Sequence, residues 1–361
     1  LINVEGSESL FIIYSSFFVS IVLFSVLLNT IMLKFATNLG IRNSEQPIMR
    51  WSNVAKPALG GITLYISFLI SSTCFSIFFD EANLFKDLQT LGTLISVAIG
   101  FMMGLADDAY NTKPIIKSLA QVSCGVILVA TGTFIQFFEN DYLNYILTVL
   151  WVMGIMNSIN MLDNMDGITT IVSIFILLIA LFYLAIHGNY NNFDFFAILG
   201  VLASLTAFLF HNWNPSKMFM GDTGSQFIGV FLAIISIKYM WNATSYTGES
   251  NQYQQIVTVI MAFILPIIDT TCVVINRMSR KQSPFVGGKD HTTHHLSYLG
   301  LNDSRVGFVY LGISALSLII CFASFRYIEN WNWIHTSIFG LYFLFLFGIM
   351  FYITQQNKNK R

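Results

Sequence analysis

An all-α, polytopic membrane protein of about eleven transmembrane helices is what these 361 residues predict, and three observations predict it. Hydrophobic residues make up 55 % of the chain and charged residues 10 %, where a soluble protein carries roughly 25 % charged residues. The apolar residues gather in runs long enough to cross a hydrocarbon core of ~30 Å, which takes about 20 residues as a helix. The polar residues of chemical interest fall between the runs, with the basic ones in alternate loops.

Taken in order, the runs lie near 10–33, 57–79, 88–105, 115–136, 142–160, 168–187, 194–211, 223–241, 254–276, 305–325 and 332–354. The first is too long for a cleavable signal, and Glu5 and Glu8 precede it where a signal would carry Lys or Arg. A chain opening on Leu1 is expected to lack its true start. The third run ends on the small pair Gly100 and Gly104, and Asp107 and Asp108 follow at once. Lys117 opens the fourth, and the fifth shades into the polar stretch Asn157-Ser158-Ile159-Asn160. The eighth starts at Gly221-Asp222-Thr223-Gly224-Ser225, and the ninth holds Pro266 and an intramembrane acid, Asp269. Cys74, Cys124, Cys272 and Cys321 all sit inside apolar runs without CxxC spacing, so they are core residues. No internal repeat or soluble domain is evident; the longest loop, 277–304, has room for a short helix.

Of the 18 Lys and Arg residues, all but Lys86, Lys238 and Arg326 fall on one side of this arrangement. The positive-inside rule therefore expects the N-terminus outside, the C-terminus in the cytoplasm and the polar motif loops on the cytoplasmic face. A net charge of −1 excludes a polybasic nucleic-acid binder.

Four segments carry the chemistry. Asp107 and Asp108 are adjacent carboxylates that favour a nearby cation, either a metal ion or a lysine such as Lys113 or Lys117. Asn160, Asp163 and Asp166 follow at i, i+3 and i+6, which on a helix or tight turn puts an amide and two carboxylates on one side; helix capping is the alternative. Asp222, at a helix start, suits phosphate only with a bridging divalent cation and otherwise serves as an N-cap. His291, His294 and His295 share a loop with Arg277, Arg280, Lys281 and Lys289, a cationic set suited to pyrophosphate. Zinc on His291 and His295 is the alternative there, without the Glu of an HExxH pattern. Asp269 is either a functional acid or the partner of a loop Arg or Lys.

In this order, and with Lys56-Pro57-Ala58-Leu59-Gly60-Gly61 ahead of them, these segments resemble the polyprenyl-phosphate N-acetylhexosamine-1-phosphate transferase family (glycosyltransferase family 4). The resemblance covers about two-thirds of the chain, and five motifs in order are far more specific than any one. It implies transfer of N-acetylhexosamine-1-phosphate, GlcNAc-1-phosphate first, from a UDP-sugar to undecaprenyl phosphate, with release of UMP, at the start of a cell-envelope polysaccharide. By the resemblance, Asp107, Asp108, Lys117, His294 and His295 are catalytic. Lys56, Asn160, Asp163, Asp166 and His291 bind substrate, and Asp222 and Asn160 hold Mg²⁺, with Mn²⁺ as substitute. The implied organisation is one domain over 1–361 with catalytic loops at 34–56, 106–117, 157–167, 211–222 and 277–304. It sits in a bacterial inner membrane with its site on the cytoplasmic face. The expected partners are the UDP-sugar, the polyprenyl phosphate, the bilayer and, as an option, a second copy of the chain.

Two departures stand out. Asp163 is followed by Asn164 where the family has Gly, and Thr292 stands where the family has its leading His, with His291 one place earlier. The loop also lacks the three consecutive histidines of phospho-MurNAc-pentapeptide translocases, which favours a GlcNAc-type transferase over that alternative. Direct attack by the lipid phosphate and a two-step path through an aspartyl-phosphate both fit the motifs. From another class, a secondary transporter would place its acids at the bilayer midplane within repeated halves, and these acids lie at run ends.

Overall fold

The computed structural model describes residues 7–38, 56–78, 86–245, 248–283 and 287–356. Thirteen α-helices make up the described fold: α1 Ser7–Asn38, α2 Gly60–Phe78, α3 Leu88–Tyr110, α4 Pro114–Ala130, α5 Asp141–Leu162, α6 Ile168–Ile186 and α7 Phe193–Asn212. They continue with α8 Gly221–Ser236, α9 Gln252–Ala262, α10 Ile264–Ser279, α11 Thr292–Tyr298, α12 Asp303–Tyr327 and α13 Trp333–Gln356. A π-helical turn, Ile237–Trp241, extends α8. Most of the expected loop 34–56, including Arg42 and Arg50, lies outside the described residues, as do Lys358, Lys360 and Arg361.

Nine of these helices, α8 with its π turn counted once, are long and apolar enough to cross a membrane. Two further segments complete the expected eleven when taken as one short and one broken span. The first is α4, an apolar helix of 17 residues and so ~26 Å long. The expected run 115–136 stops early because Gly132, at φ 85°, closes the helix in the left-handed region. Thr133 N–H returns to the Leu128 carbonyl and Gly132 N–H to that of Val129, satisfying the last turn. The second is the run 254–276, which bends by 74° between α9 and α10. Pro266 has no N–H for the Ala262 carbonyl, so the backbone ladder breaks one turn before it.

Burial grades the helices from centre to rim. Most of α8 is enclosed, and α3, α5, α2 and α6 pack around it. At the rim, α1 and α13 turn large apolar side chains outward, among them Phe11, Leu23, Leu341 and Phe345. An apolar surface of that kind is what lipid solvates.

Two glycines bring the start of α8 into backbone contact with its neighbours. A Cβ on Gly104 of α3 would lie 2.2 Å from the carbonyl oxygen of Asp222, and one on Gly61 of α2 would lie 2.2 Å from the Gly224 nitrogen. The small pair seen in the sequence is therefore the α3–α8 crossing, with Gly104 at the first turn of α8 and Gly100 further along it, against Gln226 and Val230. The strand-like segment before α2 ties to the one before α8: Phe219 N–H donates to the Pro57 carbonyl, and Gly60 and Gly61 donate to those of Phe219 and Met220.

Candidate active site

Four helix ends meet at one end of the bundle: the close of α3, the start of α4, the close of α5 and the start of α8. Asp107, near the end of α3, accepts Thr112 N–H at 2.9 Å and the Thr112 hydroxyl at 2.6 Å on Oδ1. These bonds fold the chain back so that Pro114 opens α4 and Lys117 returns to Asp107 Oδ2 at 2.6 Å. Lys117 Nζ also stands 3.8 Å from Asp222 Oδ2. Asn160, in the last turn of α5, donates to Asp222 Oδ1 at 2.5 Å and to Ser225 Oγ at 2.8 Å.

Adjacent residues on a helix point about 100° apart, and Asp108 accordingly faces another way from Asp107. Its Oδ1 accepts Asp222 N–H at 3.1 Å, and its Oδ2 accepts Thr223 N–H at 2.8 Å and the Thr223 hydroxyl at 2.7 Å. Asp108 is the N-terminal cap of α8, supplied from another helix. The Asp222 side chain is 36 % exposed and that of Asp107 8 %, so Asp222 presents the more open carboxylate of the two.

Asn160 and Asp166 keep different partners rather than one shared corner. Helix α5 ends at Leu162, Asp163 takes the C-cap, and the following turn carries Asp166 away. Asp166 Oδ2 accepts from Ser216 N–H at 3.0 Å, Asn214 Nδ2 at 3.1 Å and Lys56 Nζ at 3.4 Å; its Oδ1 takes the Ser216 hydroxyl at 2.7 Å. Lys56 also donates to Ser216 Oγ at 2.8 Å and lies over the Phe219 ring. This second corner binds the segment before α2 to the loop between α7 and α8.

The histidine loop forms a third corner, and it is buried. His291, His294 and His295 lie inside, with Asp269, Asp290 and Arg277. Asp269, on α10, accepts from His291 Nδ1 at 2.8 Å, Thr292 N–H at 2.7 Å and the Thr292 hydroxyl at 2.6 Å. The intramembrane acid thus pairs with His291 rather than with a loop Arg or Lys. Arg277 grips Asp290 with Nε at 3.1 Å and a terminal nitrogen at 2.6 Å, and Arg280 adds a bond at 2.7 Å. Burial would raise the Asp290 carboxyl, yet the two guanidiniums hold it at about 2. Burial pushes His294 down to about 3 and His295 to about 4, so both rings are neutral near pH 7. Asp290 offsets one of the loop's four Arg and Lys charges and two of its histidines add none, so the loop keeps a net positive charge, with Lys281 and Lys289 exposed. The Thr293 hydroxyl donates to Asn164 Oδ1 at 2.5 Å and so ties this corner to the turn that follows α5.

Among the described residues no three His, Cys, Asp or Glu side chains converge as a metal cage, and the zinc reading of His291 and His295 falls. The first corner offers something different: the half-open carboxylate of Asp222 beside the amide of Asn160 and the hydroxyl of Ser225. Asp222 and Ser225 offer oxygens here while Asn160 turns its Nδ2 towards them. The set fits Mg²⁺, which takes oxygen ligands, keeps several waters and completes its shell with substrate phosphates, once the Asn160 amide presents Oδ1 instead. Sequence reasoning missed Thr112, Asn214, Ser216 and Ser225. The loop Asn212-Trp213-Asn214-Pro215-Ser216, dense in short polar side chains after a long apolar run, carried a readable signal.

Fold and site together define a multi-span helical membrane protein whose polar side chains converge where its helices end. The chain belongs to glycosyl transferase family 4. The family's sequence model matches residues 90–240, a stretch that holds the whole first corner with Asp163 and Asp166 but neither Lys56 nor the histidines. A probable undecaprenyl-phosphate N-acetylglucosaminyl 1-phosphate transferase of Bacillus subtilis is 30 % identical to it over 73 % of this chain and 73 % of its own length. A decaprenyl-phosphate N-acetylglucosaminephosphotransferase of Mycobacterium leprae is 29 % identical over 31 % of this chain and 30 % of its own. A phospho-N-acetylmuramoyl-pentapeptide-transferase of Helicobacter pylori is 30 % identical over 35 % of this chain and 32 % of its own.

Proposed function

We propose that this protein transfers N-acetylhexosamine-1-phosphate, GlcNAc-1-phosphate in the first place, from a UDP-sugar to undecaprenyl phosphate and releases UMP. The observation that supports this most is the convergence of Lys117, Asn160 and Asp222 on the capped start of α8, with Asp107 holding Lys117 from behind. In the reaction an oxygen of the lipid phosphate forms a bond to the sugar-bearing phosphorus, the bond from that phosphorus to the bridging oxygen breaks, and UMP leaves with the electron pair. Both reactants are anions, so the site must first offset negative charge.

Lys117 supplies a fixed positive charge where the reactants meet. Asp222 and Asn160 are the residues that would hold Mg²⁺, and a bound Mg²⁺ would offset charge on the pyrophosphate oxygens and on departing UMP. Asp108 is occupied by the start of α8, and both oxygens of Asp107 already accept hydrogen bonds. A phosphomonoester has its second pKa near ~6, so the lipid phosphate is largely dianionic at neutral pH and needs no strong base. Direct attack therefore needs the fewest assumptions. Lys56 and Asp166 form the corner assigned to the nucleotide. His291, oriented by Asp269, faces the pyrophosphate in this reading, while neutral His294 and His295 serve the shape of the site rather than its charge. The motif loops are cytoplasmic, where UDP-sugars are made, and the membrane is the bacterial inner membrane. A homodimer would be tested by the mass of the detergent-solubilised protein.

The deciding experiment incubates membranes containing the protein with a panel of UDP-sugars and measures UMP release that depends on undecaprenyl phosphate. Release with UDP-GlcNAc, abolished by EDTA and restored by Mg²⁺, is the expected result. Release only with UDP-MurNAc-pentapeptide would move the protein to the translocase branch, and no release with any sugar would sink the proposal.

A further inference from the structure

One helical turn deeper than the first corner, three amide side chains from the same three helices meet in the membrane interior. Gln121 lies four residues after Lys117 on α4, Asn157 three before Asn160 on α5, and Gln226 four after Asp222 on α8. Gln121 Nε2 donates to Asn157 Oδ1 at 3.1 Å, and Asn157 Nδ2 returns a bond to Gln121 Oε1 at 2.8 Å. Gln121 Nε2 also donates to Gln226 Oε1 at 3.2 Å, and Asn157 Nδ2 to its own helix at the Met153 carbonyl. Gln121 and Gln226 are fully buried. One donor, Gln226 Nε2, has no partner.

A polar cluster of this kind is costly inside a membrane, and an unpaired buried donor more so. Leucine at all three positions would pack the same region without that cost. What the amides supply instead is register. Hydrogen bonds of 2.8–3.2 Å weaken once the partners slide by about 1 Å, whereas apolar side chains tolerate such sliding. Each amide stands three or four residues, about 4.5 to 6 Å, below a residue of the first corner, on an uninterrupted helix. Fixing the height of the three amides fixes the height of Lys117, Asn160 and Asp222.

We infer that Gln121, Asn157 and Gln226 are positioning residues that lock the axial register of α4, α5 and α8 and so hold Lys117, Asn160 and Asp222 in reacting geometry. This inference rests on the transferase reading above. A misplacement of about 1 Å in such a site can cost on the order of a hundredfold in rate, so the register has a direct kinetic consequence.

The test compares wild type with the triple variant Gln121→Leu/Asn157→Leu/Gln226→Leu and the single variant Gln226→Leu, reading melting temperature, kcat and KM for UMP release, and Mn²⁺ binding by electron paramagnetic resonance. Removing all the amides leaves no orphaned partner, so the triple variant should melt at or above the wild-type temperature. It should still lose at least tenfold in kcat and bind Mn²⁺ more weakly, with KM for the UDP-sugar changed less than threefold. Gln226→Leu keeps the reciprocal Gln121–Asn157 pair and should lose less in kcat. A triple variant as active as wild type, or an activity loss that merely follows a lower melting temperature, would overturn the inference. If the triple variant does not fold, Gln226→Leu decides alone: unchanged kcat and Mn²⁺ affinity overturn it. A wild type that binds Mn²⁺ but releases no UMP refutes the functional reading, and Mn²⁺ affinity of the variants then decides this one. A wild type that does neither refutes both.

Discussion

Asp108→Asn separates the two aspartates that the sequence presents as a pair. In the native protein one carboxylate oxygen accepts Asp222 N–H, and the other accepts Thr223 N–H and hydroxyl. The amide of Asn retains a single acceptor oxygen, which can keep both Thr223 bonds. Its nitrogen then faces Asp222 N–H, donor against donor. Losing one hydrogen bond to a charged group costs about 1.5–3 kcal/mol, and losing the negative charge at a helix N-terminus costs about 0.3–1 kcal/mol more. The substitution should thus destabilise α8, and the fold built around it, by roughly 2–4 kcal/mol. Thermal unfolding in detergent should show a drop of several degrees for Asp108→Asn, accompanied by reduced UMP release because Asp222 sits on the loosened turn. Unchanged melting with activity lost would refute the capping argument and return Asp108 to the reaction as an acid or base.

Three further expectations follow from the same geometry. Gly104→Ala pushes a methyl group against the Asp222 carbonyl, 2.2 Å from its ideal Cβ, whereas Gly154→Ala meets nothing within 4 Å; the first should cost about 1–3 kcal/mol and at least tenfold in kcat, and the second should be silent in UMP release. His294 and His295 have folded-state pKa values of about 3 and about 4, below ~6.5 for an unfolded chain. The unfolded chain therefore takes up protons first as pH falls, so stability is full above pH ~6.5 and declines below it by about 1.4 kcal/mol per pH unit for each ring until its folded pKa is reached. Melting temperature against pH should show that slope, and His294→Gln/His295→Gln should flatten it; an identical slope in the variant would refute burial as its cause. Cysteines at the exposed positions Lys113 and Leu299 should resist a membrane-impermeant thiol reagent in intact cells and react after permeabilisation; labelling from outside would invert the proposed orientation.

The spans were legible because hydropathy is additive along a chain, and a run of apolar residues meets lipid wherever it is placed. Their interruptions were harder to read. Phe134 and Ile135 continue the apolar run past Ala130, yet Gly132 ends the helix and side chains of Asn242 and Thr148 take up the backbone N–H groups beyond it. The ninth run was read as one span, yet it bends by 74° at the turn before Pro266, an angle that depends on packing between helices. The spacing of Asn160, Asp163 and Asp166 suggested one face only on the premise that the helix or turn keeps its sense. The end of α5 at Leu162 removes that premise and sends Asn160 to Asp222 and Asp166 to Lys56. Charge was least legible of all. Three histidines among basic residues read as part of a cationic surface; burial makes two of them neutral, and Asp290 offsets one of the two arginine charges it binds.

The start of α8 is where these strands of argument join. Asp222 stands in the first turn of that helix, at the end where backbone N–H groups are aimed outward. Its backbone is held by Gly104 at its carbonyl, by Gly61 at the next two residues and by Asp108 from the end, while Asn160 fixes one of its carboxylate oxygens. The other oxygen, Oδ2, faces Lys117 across 3.8 Å on the side that remains half-open. A carboxylate held so rigidly on a membrane-embedded helix has little reorganisation left to undergo when an anionic substrate arrives, which is the condition electrostatic catalysis requires. Two glycines and a borrowed cap matter here because they remove the freedom of the residue that meets the charge.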